Sequence, residues 1–177
     1  MTGQTPPPDL QLDNALWQMA TTLWDKPGFA DACLQAQDEG ISVTHLLVAL
    51  YSAEHSRCWS GVEPAPLRNW REQVTEPLRR LRQTLGKDND AVRALREQIK
   101  SAELHAEQVE LGWWAYLIER IGDDDHWYHC AMGGDSLAAS NLQAAGLDGT
   151  RQALCERLLG LWHQHGKGVT LPGHKQN

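Results

Sequence analysis

The chain has 177 residues, a formal net charge of −7, 41% hydrophobic and 22% charged residues, which suits one soluble globular domain with a core of its own. Its longest apolar run, Leu46 to Tyr51, is far too short to span a bilayer, and Met1 to Pro8 reads as no secretory signal. A single Phe beside 8 Trp leaves the packing to Trp and Leu, and each indole that is buried needs a partner for its N–H.

Residues 1–11, with Pro6-Pro7-Pro8, read as a flexible lead-in, and 12–165 as a single domain followed by a loose tail over 166–177. Asp13 or Asn14 can cap a first helix, whose face is Leu16, Trp17, Ala20, Leu23 and Trp24 and which Lys26-Pro27-Gly28 ends. A second helix runs from about Phe29 to Asp38, with Phe29, Ala32, Cys33 and Ala36 inward and Gly40 as its stop. A third, from about Thr44 to His55 behind Ser42 or Thr44, is apolar on most sides and reads as the central buried helix.

Ser56 to Pro66 reads as a loop. The fourth helix carries the stripe Leu67, Trp70, Val74, Leu78, Leu81 and Leu85, interrupted by Pro77, where a kink or a fresh start capped by Thr75 is expected. After the polar turn Gly86 to Asp90 comes the longest signal in the chain. Leu95, Ile99, Ala102, Ala106, Val109, Trp113 and Tyr116 recur at spacings of three and four, the seam of one helix from Asp90 to Ile121 that is roughly 45 Å long. Its first half is solvated by Arg93, Arg96, Glu97, Lys100 and Glu103, whereas its last third is apolar nearly all round. Together the two helices form an antiparallel hairpin over about 66–121. Residues 122–135 read as an irregular loop, Asp135 or Ser136 as the cap of a short helix to about Ala145, and Thr150 to Gln164 as a last helix with Leu154, Leu158, Leu161 and Trp162 inward. No repeat and no period-two strand stands out, so the fold class is all-α, an irregular helical bundle.

Charge is unevenly spread. Arg68 to Lys100 holds nine Lys/Arg and five acids, +4, against −11 for the rest. Arg71, Arg79, Arg80, Arg82, Arg93 and Arg96 are therefore the candidate partner-binding residues, and complementary charge would steer an acidic protein. A solvated face is the plainer reading of the same residues. Nucleic acid is disfavoured, since acids are interspersed and the whole chain is acidic. The seam of the long helix could also simply form a homodimer.

His126, His129 and Cys130, behind Asp123 to Asp125, are the candidate metal ligands; zinc suits such donors, but the spacing matches no standard signature and a solvated turn explains it too. His55 and Cys58 could complete such a set. Cys33, Cys58, Cys130 and Cys155 are widely scattered and read as thiols in a reducing cytosol, Cys33 and Cys155 as small core residues and Cys58 and Cys130 as nearer the surface. No P-loop, Gly-x-Gly-x-x-Gly, Gly-x-Ser-x-Gly or His-Glu-x-x-His occurs, so no catalytic residue and no cofactor is assigned. An enzyme using the 123–130 loop is the alternative to a non-enzymatic, cytoplasmic protein-interaction module.

Leu16-Trp17, Pro27-Gly28, Ala32-Cys33-Leu34 with Gln37, Val43 with Leu46-Leu47, Trp70, Pro77-Leu78-Arg79 with Leu81-Arg82, and Ala102-Glu103-Leu104 occur in an order that resembles an uncharacterised proteobacterial family, a domain of unknown function, over roughly Leu10 to Leu111. Where that family usually has an Asn before the Leu pair, this chain has Thr44-His45. The resemblance implies a bacterial, soluble, cytosolic helical protein and supplies no catalytic residues.

Overall fold

The computed structural model describes residues 5–120 and 122–166; the first four residues of the expected lead-in, Ile121 of the expected long helix, and 167–177 of the expected tail lie outside them. The chain is mainly helical. In order come α1 (Ala15–Trp24), α2 (Phe29–Asp38), α3 (Val43–Glu54), β1 (Arg57–Trp59), α4 (Ala65–Trp70), a π-helical turn (Arg71–Thr75), α5 (Glu76–Thr84), α6 (Arg93–Arg120), β2 (Trp127–His129), α7 (Gly134–Ala144) and α8 (Gln152–Gly166). Short 3₁₀ turns, Asp90–Val92 and Gly149–Arg151, lead into α6 and α8. Among the described residues no helix is long and apolar enough to cross a membrane.

Two expectations change. The stretches read as loops each hold a three-residue strand, and β1 and β2 pair antiparallel with Cys58 opposite Tyr128. Three residues are too few for an alternating pattern to show in sequence. Cys58 and Cys130 are bonded to one another, with Cα atoms 6.1 Å apart, so the four-thiol reading holds only for the buried Cys33 and Cys155.

The described residues fall into two compact units: residues 5–17 with 62–120 and 122–126, and residues 18–61 with 127–166. The second unit is built around α3. Ser42 caps this helix by accepting the N–H of His45 at 3.4 Å, and residues 46–53 are buried without a break. Against α3 pack α2, α7 and the ribbon. Asn141 of α7 is the polar centre of this core. Its Oδ1 accepts the N–H of Trp59 (2.9 Å) and its Nδ2 donates to the carbonyls of Arg57 (2.9 Å) and Ala49 (3.1 Å). One carboxamide thus serves the open edge of β1 as the backbone of a third strand would. Trp127, opposite Trp59 on the ribbon, is buried as well, its indole N–H donating to the Ser52 hydroxyl at 3.1 Å. Gly61 follows β1 at φ +79°, and a Cβ there would sit 2.4 Å from the Ala144 carbonyl oxygen. No other residue fits that turn.

The first unit is built on α6. The π-helical turn precedes Pro77, whose ring would meet the carbonyl four residues back in a regular α-helix; beyond this wider turn α5 starts afresh at Glu76 with Pro77 in its first turn, one of the two expectations, although the Thr75 side chain makes no cap bond. Residues from the expected lead-in cross α6 at Gly112, where a Cβ would lie 3.0 Å from the Gln11 carbonyl oxygen. Asn14 caps α1 by accepting the Trp17 N–H (3.0 Å), Gln108 donates to the Leu12 carbonyl (3.3 Å), and Arg120 pairs with Asp9 (2.9 Å). Trp113, Trp114, Ala115 and Ile118 are buried, so the closing third of α6 is covered as its composition implies.

Candidate functional site: the charged seam of the long helix

α6 carries three lines of residues that each recur every seven positions. Ile99, Ala106 and Trp113 are buried, as a helical seam requires. The seam expected beside them was Leu95, Ala102 and Val109. The buried line is instead the one on the other side: Arg96, Glu103 and Glu110, at 9%, 6% and 2% exposure. Leu95 stands 50% exposed, Ala102 is exposed and Val109 half-buried. The buried face of α6 is therefore turned by roughly 50°, half a residue, from the orientation that hydrophobicity alone dictates.

The reason lies on the facing segment. Arg82 and Arg79 both bond the Glu103 carboxylate, Arg79 Nε at 3.1 Å, and Arg79 reaches Glu107 at 2.6 Å. Arg71 pairs in two-pronged fashion with Glu63 and lies 3.9 Å from Glu110. The Thr75 hydroxyl, on the π-helical turn, donates to Glu110 Oε2 at 3.2 Å. Trp70 donates its indole N–H to the Ala106 carbonyl at 3.1 Å, and Arg96 closes the end of α5 by donating to the Leu85 carbonyl at 3.2 Å. Guanidinium forks on carboxylates are the strong class of ion pair, and a matched set holds a charged line inward where single charges could not stay.

The balance is uneven by one. With Arg80, which shares Glu76 with Arg71, four guanidiniums, Arg71, Arg79, Arg80 and Arg82, face five carboxyls, Glu63, Glu76, Glu103, Glu107 and Glu110. Burial tends to raise the Glu103 carboxyl, yet the bonds from Arg82 and Arg79 outweigh it and hold the group below its ordinary value. Glu110 goes the other way. Burial, reinforced by the charge of Glu63, raises it from 4.5 to about 7 against the opposing pull of Arg71 and Thr75. Its Oε1 has no hydrogen-bond partner among the described residues. The excess carboxyl is thus the deepest one, and a proton neutralises it.

Of the six arginines singled out as partner-binding, Arg71, Arg79 and Arg82 are in this seam and Arg96 is buried on the Leu85 carbonyl. Arg80 and Arg93 remain on the surface, 65% and 66% exposed, with Glu76 and Asp90 beside them. Over 63–110 the chain holds nine Lys/Arg and nine Asp/Glu, so the positive segment is matched once its internal partners are counted. Sequence reasoning passed over Glu63, Glu107 and Glu110, and Arg96 and Glu103, read as solvating the first half of the helix, are buried instead. The signal was present as a charged residue every seventh position, 96, 103 and 110, directly beside the apolar line.

The 123–130 loop is arranged otherwise than a metal centre needs. The Asp124 carboxylate accepts the backbone N–H of His126 at 2.7 Å and lies 3.4 Å from its ring Nδ1. His129 lies on β2 opposite Arg57. Cys130, expected as a ligand, is corrected: its sulfur is bonded to Cys58, which removes both thiolates as ligands and as nucleophiles. His55, the other expected contributor, has its Nδ1 3.0 Å from the Tyr51 carbonyl oxygen. Among the described residues no three His, Cys, Asp or Glu side chains are gathered to hold a metal ion.

A family model described as "Protein of unknown function (DUF2390)" matches residues 15–113, more than half of the chain. No curated protein and no solved structure matches it.

Proposed function

The chain belongs to the DUF2390 family, whose function is unknown, and we propose that it acts as a non-enzymatic protein-interaction module built on a helical hairpin of α4–α5 against α6. One observation carries this reading. The hairpin holds its charges inward and leaves an apolar heptad line on α6, in which Leu95 and Ala102 are exposed and Val109 is half-buried among the described residues. A helix alone in water gains by the opposite arrangement, so the exposed line is the part a partner would cover. Arg80 and Arg93, which stay on the surface, are the arginines left to steer an acidic partner; Arg71, Arg79, Arg82 and Arg96 act by holding α6 in its rotated setting. Residence in the cytoplasm would expose Cys58–Cys130 to reducing thiols, so the oxidation state of that pair in cells tests where the protein works.

The test is capture of complexes on the intact protein, followed by sizing with light scattering, with Leu95→Glu alongside. A stoichiometric complex, insensitive to nuclease and lost with Leu95→Glu, is the expected result. Complexes that survive Leu95→Glu unchanged would reject the α6 line as the contact.

A further inference from the structure

We propose that the occupant of the free line of α6 is a second copy of the same helix, packed antiparallel about Ala102; the proposal rests on the interaction reading and names its partner. Two features of the line select this partner. The first is spacing. Leu95 and Val109 stand seven residues to either side of Ala102, so a two-fold axis at Ala102 brings Leu95 of each copy against Val109 of the other. A self-complementary patch of this kind is what an isologous dimer needs. The alanine at the centre lets the two backbones come close, and the antiparallel setting opposes the helix dipoles.

The second feature is charge. Gln98, Ser101 and His105 flank the line, and no Asp, Glu, Lys or Arg lies among these six residues, although the chain as a whole carries −7. Two copies can meet on this face without like-charge repulsion, whereas a highly charged partner finds no complement there. The charged residues of the exposed half of α6, Arg93, Glu97 and Lys100, fall elsewhere around its circumference. Leu104 falls among them, nine positions and thus about 180° from Leu95, which makes it a matched control: equally exposed, on the wrong side.

The experiment is light scattering of the intact protein over a wide concentration range, with Leu95→Glu, Ala102→Glu and Leu104→Glu, each checked for native helicity by circular dichroism. All three sites are exposed, so the variants fold. The expected result is a dimer whose dissociation constant rises by about 100-fold with Leu95→Glu or Ala102→Glu, where a carboxylate would be buried against the apolar face, and by less than about twofold with Leu104→Glu. Ala102→Cys should crosslink to itself through a short bis-maleimide, since Cys33 and Cys155 are buried and Cys58 and Cys130 are bonded to each other. A monomer at every concentration overturns the self-pairing. If that monomer still captures another protein, and loses it with Leu95→Glu, the interaction reading stands without the dimer; if it captures nothing, both fall. A dimer weakened by Leu104→Glu and not by Leu95→Glu places the interface elsewhere and overturns the proposal as well.

Discussion

The two units hold buried polar groups by opposite means. Around α3 the core is mostly apolar, and a neutral side chain, Asn141, serves backbone groups of β1 and α3 at once. Around α6 the inward line is itself charged, and stability depends on matching guanidiniums to carboxylates across two helices. A neutral amide costs little to bury once its bonds are made, and it answers to no titration. A charged line is costly to bury, holds register tightly, and leaves a residue that titrates when the count is uneven. The difference teaches where each unit is vulnerable: the first to pH, the second to loss of a crosslink or a single amide.

The largest expected effect is in the second unit. Cys58 and Cys130 join segments that are 72 positions apart in sequence, and the ribbon they fasten has only three residue pairs. In the chain-entropy account, closing a loop of that length stabilises by about 4 kcal/mol. Reduction by a dithiol, or Cys58→Ser with Cys130→Ser, should lower the urea midpoint of the α3 unit accordingly. Titration with a thiol reagent should show two new reactive thiols under reduction while Cys33 stays unreactive, since burial pushes its thiol up to about 12. An unchanged midpoint would show that the ribbon is held without the bond.

Asn141→Ala comes next, at about 3 kcal/mol, because the buried N–H of Trp59 and carbonyl of Arg57 lose their partners together. Chemical denaturation followed by tryptophan emission reads this directly, since Trp59 and Trp127 are buried on the ribbon.

The sequence told the two units apart unequally. The helices around α3 were legible because apolar residues at helical spacing are what that core buries: Phe29, Ala32, Cys33 and Ala36 are inward as their positions imply. Asn141 was not legible, because a lone Asn in a helix carries no sign of the strand edge it completes. Neither was the Cys58–Cys130 bond, whose partners are far apart in sequence. In α6 the length and the buried end were read correctly, yet the inward line was placed one residue off. Apolar periodicity points to Leu95, Ala102 and Val109, whereas the fold buries Arg96, Glu103 and Glu110 because Arg71, Arg79 and Arg82 stand opposite. A charged seam is visible only when both of its sides are compared.

pH should sharpen the contrast. The folded protein holds a proton on Glu110 up to about 7, whereas the unfolded chain releases it near 4.5. The folded value is the higher one, so this group's contribution to stability is complete below about 4.5, declines as pH rises, and is gone above about 7. The span corresponds to about 3 kcal/mol at most. Glu110→Gln, which keeps an oxygen for Thr75 and carries no charge, should flatten the dependence between pH 5 and 8 and leave the variant the more stable protein at pH 8. A variant as pH-sensitive as the parent would mean that another group carries the proton. Glu103, held low by Arg79 and Arg82, acts in the reverse sense: its contribution is present above the ordinary carboxylate range and is lost as pH falls through the lowered value.

The smallest expected effect is the most useful for function. Arg80 and Arg93 face solvent, each beside one exposed carboxylate, and such pairs are worth about 0.2–1 kcal/mol. Arg80→Ala with Arg93→Ala should therefore shift the unfolding midpoint very little, whereas Arg82→Ala, which strips Glu103 of one of its two partners in a buried setting, should shift it plainly. That asymmetry separates two roles that charge counting merges. A weakened complex in the Arg80/Arg93 variant, with stability intact and the loss growing smaller as salt is added, assigns those residues to steering a partner. An unaffected complex would leave the uncharged line through Leu95, Ala102 and Val109 as the contact that decides association.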